Sequence, residues 1–165
     1  MGGALAGSGL LLAAGLVTAP AAAADERTCT GSLGAIRVDN VKVPAGATCR
    51  LTGTRVDGNI TVSRGATLLA TRVVVDGNIQ SQGHRAVGVT RSIVDGNIQL
   101  ERGGVISLTA NRVDGDIQLF SNPTGRKVVS GNIVDGNLQC KANRPAPIGG
   151  KNRVKGNKED QCRRL

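Results

Sequence analysis

Val75-Asp76-Gly77-Asn78-Ile79 is one copy of a motif that recurs along this chain. Four further clear copies and two degenerate ones occupy residues 56–60, 94–98, 113–117 and 134–138, and residues 38–41 and 154–157. Counted from Asp39, the steps between successive aspartates are 18, 19, 19, 19 and 21 residues, with 20 more to Lys155. A repeat of this length is too short to bury a core alone, so stacked copies predict a solenoid.

Alignment of the copies on the aspartate places apolar residues in columns. The residue before the aspartate is Val in all seven copies, and Ile or Leu follows it by three positions in the five clear copies. Other apolar residues lie two apart, as in the pairs Ile98/Leu100 and Ile106/Leu108, which is the strand period with one face turned inward. We expect two or three short strands per coil. Helices are disfavoured because β-branched residues and Gly occupy every window.

The fold class predicted from these columns is all-β: a single-domain, right-handed parallel β-helix of about seven coils with a repeat near 19 residues. Left-handed β-helices are built on hexapeptides, whereas the inward columns here lack a uniform six-residue period. Parallel crossovers also favour the right hand. Coils stacked about 4.8 Å apart make a rod of roughly 30 Å.

The Asp-Gly-Asn of each repeat is predicted to form a corner. Gly is expected there to supply φ > 0, and Asp and Asn to form side-chain-to-backbone turns. The predicted corner residues are Asp57, Gly58, Asn59, Asp76, Gly77, Asn78, Asp95, Gly96, Asn97, Asp114, Gly115, Asp116, Asp135, Gly136 and Asn137. Their aspartates should stack along one edge, where each either closes its own turn or joins a cation-binding column.

Stacked aspartates need compensation. Like charges about 4.8 Å apart repel by roughly 1 kcal/mol in water. Four arginines lie close enough in sequence to offset this repulsion. They are Arg55, Arg72, Arg91 and Arg112.

The composition fits a narrow aliphatic interior. The 165 residues include 24 Gly and one Phe, with no Tyr or Trp and a single His, His84. A core without aromatic rings argues against a globular enzyme domain, and one His leaves little room for His-based catalysis or a multi-His metal site. We predict a non-enzymatic protein without cofactor or metal, and place His84 in a solvated loop.

The first 24 residues are predicted to be a secretory signal peptide. They carry no charge, contain an apolar stretch around Leu10–Leu12, and place Ala22 and Ala24 at −3 and −1 of an Ala-x-Ala cleavage site. The usual positive n-region is missing. An uncleaved anchor is the competing interpretation, although the stretch is short and weakly apolar for a span. The expected location is outside the cell or in the cell wall, with no membrane span after cleavage.

The cysteines fit an oxidising compartment, where four should pair. Cys29 and Cys49 are 20 residues apart and Cys140 and Cys162 are 22 apart, each close to one coil. Each pair then falls on neighbouring coils, near the Cα separation that a disulfide needs. We predict Cys29–Cys49 and Cys140–Cys162, one bond at each end, each stabilising by about 3 kcal/mol.

The C-terminal segment, residues 141–165, is predicted to be a basic cap that follows the solenoid of residues 25–140. Its basic residues are Arg144, Lys151, Arg153, Lys155, Lys158, Arg163 and Arg164, and its prolines and glycines break regular structure. The segment is either a solvated loop folded over the last coil or a patch that holds an anionic polymer or polysaccharide of the cell envelope. Nucleic acid is not expected, because the protein is exported and the segment lacks aromatic residues that stack bases.

The two-part tail also carries a resemblance. Residues 136–143 (Gly-Asn-Leu-Gln-Cys-Lys-x-Asn) and 156–162 (Gly-Asn-Lys-Glu-Asp-Gln-Cys) resemble the tails of small secreted actinobacterial proteins of unknown function. More distantly, the short coils are similar to bactofilins, cytosolic β-helices that polymerise end to end. The apparent signal peptide and the terminal cysteines depart from the bactofilin pattern. Neither resemblance implies catalytic residues.

These observations favour a secreted, non-enzymatic β-solenoid that serves as a structural or binding module. One alternative is a polysaccharide-cleaving enzyme that uses an aspartate cluster at Asp114 and Asp116, although β-helix enzymes of that class have longer coils and aromatic sugar platforms. The other is a protein that assembles into filaments.

Overall fold

The computed structural model describes residues 2–3 and 25–165. Within that part of the chain the regular structure is entirely β, and no helix occurs. The predicted signal peptide lies outside the described residues apart from Gly2 and Gly3, and stays a prediction.

The strands form three parallel sheets, and each coil contributes one strand to each sheet. The first sheet contains β1 (Glu26–Thr28), β4 (Asn40–Val43), β7 (Ile60–Val62), β10 (Ile79–Gln82), β13 (Ile98–Glu101), β16 (Ile117–Phe120), β19 (Leu138–Lys141) and β22 (Lys158–Asp160). The second contains β2 (Ser32–Leu33), β5 (Thr48–Thr52), β8 (Thr67–Thr71), β11 (Ala86–Thr90), β14 (Val105–Thr109), β17 (Lys127–Ser130) and β20 (Ile148–Gly150). The third contains β3 (Arg37–Val38), β6 (Arg55–Val56), β9 (Val74–Val75), β12 (Ile93–Val94), β15 (Arg112–Val113), β18 (Ile133–Val134) and β21 (Arg153–Val154).

Equivalent residues of successive coils pair in register. Ile79 of β10 lies opposite Ile98 of β13, which lies opposite Ile117 of β16. This register confirms a parallel β-solenoid of about seven turns with a repeat of about 19 residues. The right hand of the coil stays a prediction.

The core is a set of aliphatic columns, as the sequence indicates. The valines that precede the corner aspartates point inward and are at most 1% exposed from Val56 to Val134. Successive side chains of a strand point to opposite faces of the sheet. The valine of each of these two-residue strands therefore points inward, and the residue before it points outward. The single aromatic residue, Phe120, belongs to the outward positions of β16 and is half-buried.

Both predicted disulfides are confirmed. Cys29 is bonded to Cys49 with a Cα–Cα separation of 5.5 Å, and Cys140 to Cys162 with 5.2 Å. All four cysteines are at most 2% exposed, so each bond ties a terminal coil to the core.

The C-terminal segment is not a loop. It supplies β20, β21 and β22, which continue all three sheets, and then a terminal turn that ends at Leu165. The expected break occurs at the prolines, since residues 142–147 between β19 and β20 have no regular structure, whereas Gly149 and Gly150 lie within β20 at φ +136° and +147°. The basic residues therefore belong to the last coil.

Candidate functional site

The predicted Asp-Gly-Asn corners lie between the third sheet and the first, one above another, as the repeat indicates. The expected reason for their glycines is wrong, since none of the six corner glycines has a positive φ: Gly58, Gly77, Gly96, Gly115, Gly136 and Gly156. A Cβ on Gly77 would lie 2.6 Å from the carbonyl oxygen of Gly58 and 2.7 Å from Oδ1 of Asn59. Glycine is required because adjacent coils approach closely, not because of the turn conformation.

The corner asparagines link one coil to the next. Oδ1 of Asn59 accepts a hydrogen bond from the backbone N–H of Asn78 at 2.9 Å, and Oδ1 of Asn78 accepts one from Asn97 at 2.8 Å. Asp116 replaces Asn in this column, and its Oδ1 accepts from the N–H of Asn137 at 2.6 Å. The asparagines were expected to bond within their own turns; instead they satisfy backbone groups of the following coil.

The corner aspartates face arginines on the third sheet. Arg37 Nε lies 2.6 Å from Asp57 Oδ2, and Arg55 reaches both Asp57 at 3.4 Å and Asp76 at 2.8 Å. The hydrogen bond from Arg37 lowers the pKa of Asp57, and the charges of Arg37 and Arg55 act in the same direction. The prediction that each Asp closes its own turn is therefore wrong for these residues, because an arginine provides a stronger partner than a turn N–H.

The arginines divide differently from the sequence expectation. Arg112 bridges Asp114 at 3.1 Å and Asp135 at 3.2 Å, as Arg55 bridges its own pair. Arg72 and Arg91 instead occupy the corner between the second and third sheets, at φ 53° and 52°, and form no ion pair among the described residues. Closeness in sequence did not predict this difference. The corner between the second and third sheets and the corner that carries the aspartates lie on different sides of the rod.

The two aspartates of the enzyme alternative have separate structural partners. Asp114 pairs with Arg112, whereas Asp116 holds the backbone of Asn137. Within residues 2–3 and 25–165, no three His, Cys, Asp or Glu side chains are grouped so that they could hold a metal ion.

Two buried amide columns were not recognised from the sequence. Asn111, Asn132 and Asn152 lie at the second-to-third corner, and Oδ1 of Asn132 accepts from both the N–H and the Nδ2 of Asn111 at 3.0 Å. Asn122 and Asn143 form a similar column at the first-to-second corner. Their spacing of 20 or 21 residues, the step length of the later repeats, was the available signal.

His84 is not in a solvated loop. It lies at the first-to-second corner with 2% exposure, and neither ring nitrogen has a hydrogen-bond partner in the described part of the chain. Its ring occupies the space above Gly103, where any Cβ would overlap it. Burial, together with the charge of Lys127, lowers the pKa of His84 to about 4.

Lys127 also lies inside the rod, opposite Ile106 in the second sheet. Its Nζ donates to the carbonyl oxygens of Thr124, Gly125 and Arg144 at 2.7 to 2.8 Å, and the side chain is 0% exposed. Burial lowers its pKa. Lys127 lies eight residues before Asp135, as the inward-facing Ile106 lies eight residues before Asp114. The alignment of the repeats therefore indicated an inward position, which a charged side chain made unexpected.

The predicted basic residues surround the end of the rod rather than forming one patch. Arg144 follows β19, Lys151 lies after β20, and Arg163 and Arg164 lie in the terminal turn. Lys158 is half-buried and donates to the carbonyl of Leu165. In the described structure, Lys155 is the one member of the predicted set that pairs with an acidic side chain, Asp135 at 3.2 Å.

Part of this set belongs to a shallow depression on the third sheet. Arg112, Arg153 and Lys155 line it beside Asp135, together with Ile133, Val134 and Val154; its volume is about 300 Å³. Arg112 and Lys155 both pair with Asp135 there, and Arg112 also pairs with Asp114, so Arg153 is the cation of this lining without an ion pair among the described residues. We call this site the basic depression.

Comparison with protein families, curated proteins and solved structures found no match to this chain. No helix in the described residues is long and apolar enough to cross a membrane. The fold defines the class, a disulfide-bonded parallel β-solenoid, and its two disulfides indicate an oxidising, extracellular environment.

Proposed function

We propose that this protein is a secreted, non-enzymatic β-solenoid that serves as a rigid binding module outside the cell or in its wall. The proposed ligand is an anionic polymer of the cell envelope. The observation that carries the proposal is the basic depression, where the exposed Arg153 lies without an ion pair beside Lys155 and Arg112, whose charges are shared with Asp135 and Asp114.

The charge distribution supports this ligand class. Residues 141–165 contain eight basic residues and two acidic ones, on a chain whose formal net charge is +9. Arg153 and Lys155 are exposed, so they can reach a polymer without any rearrangement of the core. A surface of one sign raises the local concentration of oppositely charged partners, and the effect weakens as salt screens it.

The rigid scaffold supports a binding role in a second way. In the third sheet, β18 pairs in register with β15 on one side and with β21 on the other. The disulfide Cys140–Cys162 also bonds the last coil to the coil before it. A backbone held in paired strands does not have to be ordered when a ligand binds, which favours affinity.

Co-sedimentation with polygalacturonate and with a phosphate-containing wall polymer tests the proposal. We expect binding at low salt that is lost at high salt, and the double variant Arg153→Gln/Lys155→Gln should bind about tenfold more weakly, because exposed ion pairs are worth up to about 1 kcal/mol each. The matched control is Arg27→Gln/Arg50→Gln, which removes the same charge near the other end. Equal losses in the two double variants, or no binding at low salt, would contradict the proposal.

A further inference from the structure

The outward side of the first sheet carries an ordered column of glutamines. Gln80, Gln99, Gln118 and Gln139 lie opposite one another in successive coils. Nε2 of each donates to Oε1 of the next, at 3.1, 2.7 and 2.9 Å, and Gln139 donates to Glu159 at 2.9 Å. These bonds hold the side chains in place before any ligand arrives, which reduces the rotamer entropy that binding costs.

Each glutamine still has unused hydrogen-bonding capacity. A carboxamide has two N–H donors and two acceptor lone pairs, and the column uses one donor and one acceptor of Gln99 and of Gln118. One donor and one acceptor therefore remain on each for a partner. Such a pair is repeated once per coil, about every 4.8 Å, and suits a hydroxyl group, which is itself both a donor and an acceptor.

Phe120, the only aromatic residue of the chain, lies on this same side of the sheet. It follows Gln118 by two residues on β16 and is in register between Glu101 and Lys141. An aliphatic core does not use it. A half-buried ring beside ordered amides offers an apolar surface for the C–H face of a sugar, and the amides hold the hydroxyls at its edge.

A recess continues the glutamine column toward the first coils. It has a volume of about 350 Å³ and is lined by Thr61, Val62, Ser63, Gln80, Ser81, Gln82, Gln99 and Glu101. Glu101 is its one charged residue. The lining is thus polar but nearly uncharged, unlike the basic depression on the third sheet.

From these four features we infer that the first sheet binds a neutral, linear polysaccharide that lies along the axis of the rod. The glutamine face, defined as Gln80, Gln99, Gln118, Gln139 and Phe120, forms this site. The carboxamides bind hydroxyl groups of successive sugars, and Phe120 stacks on one of them. A neutral ligand is inferred because Glu101, the one charged residue of the recess, pairs with Arg102 at 3.5 Å and faces Lys141 across Phe120. The inference does not depend on the basic depression.

Binding to amorphous cellulose and to chitin, measured by sedimentation and by calorimetry with their soluble oligosaccharides, tests the inference. We expect binding to at least one of these neutral glycans that persists at high salt, because uncharged groups are not screened. Phe120→Ala and Phe120→Leu should each lower the affinity about tenfold, because aromatic stacking contributes up to about 1.5 kcal/mol. Gln118→Ala should also weaken binding, since it interrupts two bonds of the column.

Ser107→Ala is the matched control, because Ser107 is also outward-facing but lies on the second sheet. It should bind like the unchanged protein, and so should Arg153→Gln/Lys155→Gln, which separates this inference from the proposed function. Absence of binding to both glycans, binding that high salt abolishes, or full affinity in Phe120→Leu would each overturn the inference. Circular dichroism and the melting temperature verify that every variant is folded.

Discussion

The early and late coils close the same corner with different chemistry. At the second-to-third corner, the early coils place Thr54, Val73 and Ser92 inside, whereas the late coils place Asn111, Asn132 and Asn152 there. The backbone path is similar in both halves, since the residue before each of these positions has φ between 52° and 66°. The corner geometry therefore does not require one kind of side chain, and two solutions coexist in one chain.

The two solutions rely on different interactions. Val73 contributes an apolar side chain at 1% exposure, while Asn132 takes part in bonds to Asn111, Asn152 and the carbonyl of Leu108. A buried amide is stable only when its donors and acceptors are satisfied. The late coils therefore depend on their neighbours being present, and the early coils depend on filling space.

The largest effect is expected from Asn132→Leu. The substitution leaves the N–H of Asn111 and the carbonyl of Leu108 buried without their partners and should lower the free energy of unfolding by about 4 kcal/mol, at 1–3 kcal/mol per orphaned group. Val73→Ala, which removes only apolar contacts, should cost about 2 kcal/mol. Urea denaturation of both variants measures the difference, and equal losses would show that the two halves are stabilised alike.

The second effect concerns His84, whose unpartnered ring contrasts with the bonded Asn122 and Asn143 of the same corner. Its pKa is about 4 in the folded protein and about 6.5 in an unfolded chain. Between these values the unfolded chain binds more protons, so stability falls as the pH is lowered through this window, by about 3 kcal/mol in all. Above pH 6.5 and below pH 4, His84 contributes no further slope.

Thermal melts of the protein and of His84→Leu across this pH range measure that effect. His84→Leu cannot bind a proton at this position and should retain its neutral-pH stability further into acid. An acid loss of the same size in the variant would assign the pH dependence to other groups.

The smallest effect is expected from Val73→Asn, which places the late-coil residue in an early coil. An amide there faces Thr54 and Ser92, which both carry hydroxyl groups, and Ser92 Oγ already accepts from the N–H of Val73 at 3.1 Å. We expect a change of about 1 kcal/mol or less, the net worth of an ordinary hydrogen bond. A loss near 4 kcal/mol would mean that the early corner excludes amides.

The repeat predicts the architecture because it encodes contacts between equivalent residues. Val75 and Ile79 recur in register, so one coil defines the next, and the cysteine spacings of 20 and 22 residues identify the disulfides by the same argument. These predictions required only a period and the strand alternation.

The roles of individual side chains were harder to predict because they depend on the adjacent coil. Asn78 was expected to bond within its turn, but its acceptor reaches Asn97, and Gly77 is required by Gly58 rather than by its own φ. His84 is buried because Gly103, which lies 19 residues later in the next coil, leaves space for its ring. Local rules for turns assign such residues to their own loops, whereas a solenoid satisfies them one coil further along.

The corner asparagines have a consequence for the length of the molecule. Asn59 and Asn78 each accept hydrogen bonds from the backbone N–H and the side-chain amide of the equivalent asparagine in the next coil. A unit such as residues 76–94, which carries its own asparagine, would therefore find the same corner partners beside another such unit. Duplication of one unit would extend the rod by one step of about 4.8 Å and leave both disulfide-bonded ends as they are. The length of this solenoid can therefore change in evolution by whole coils, without any change to its ends.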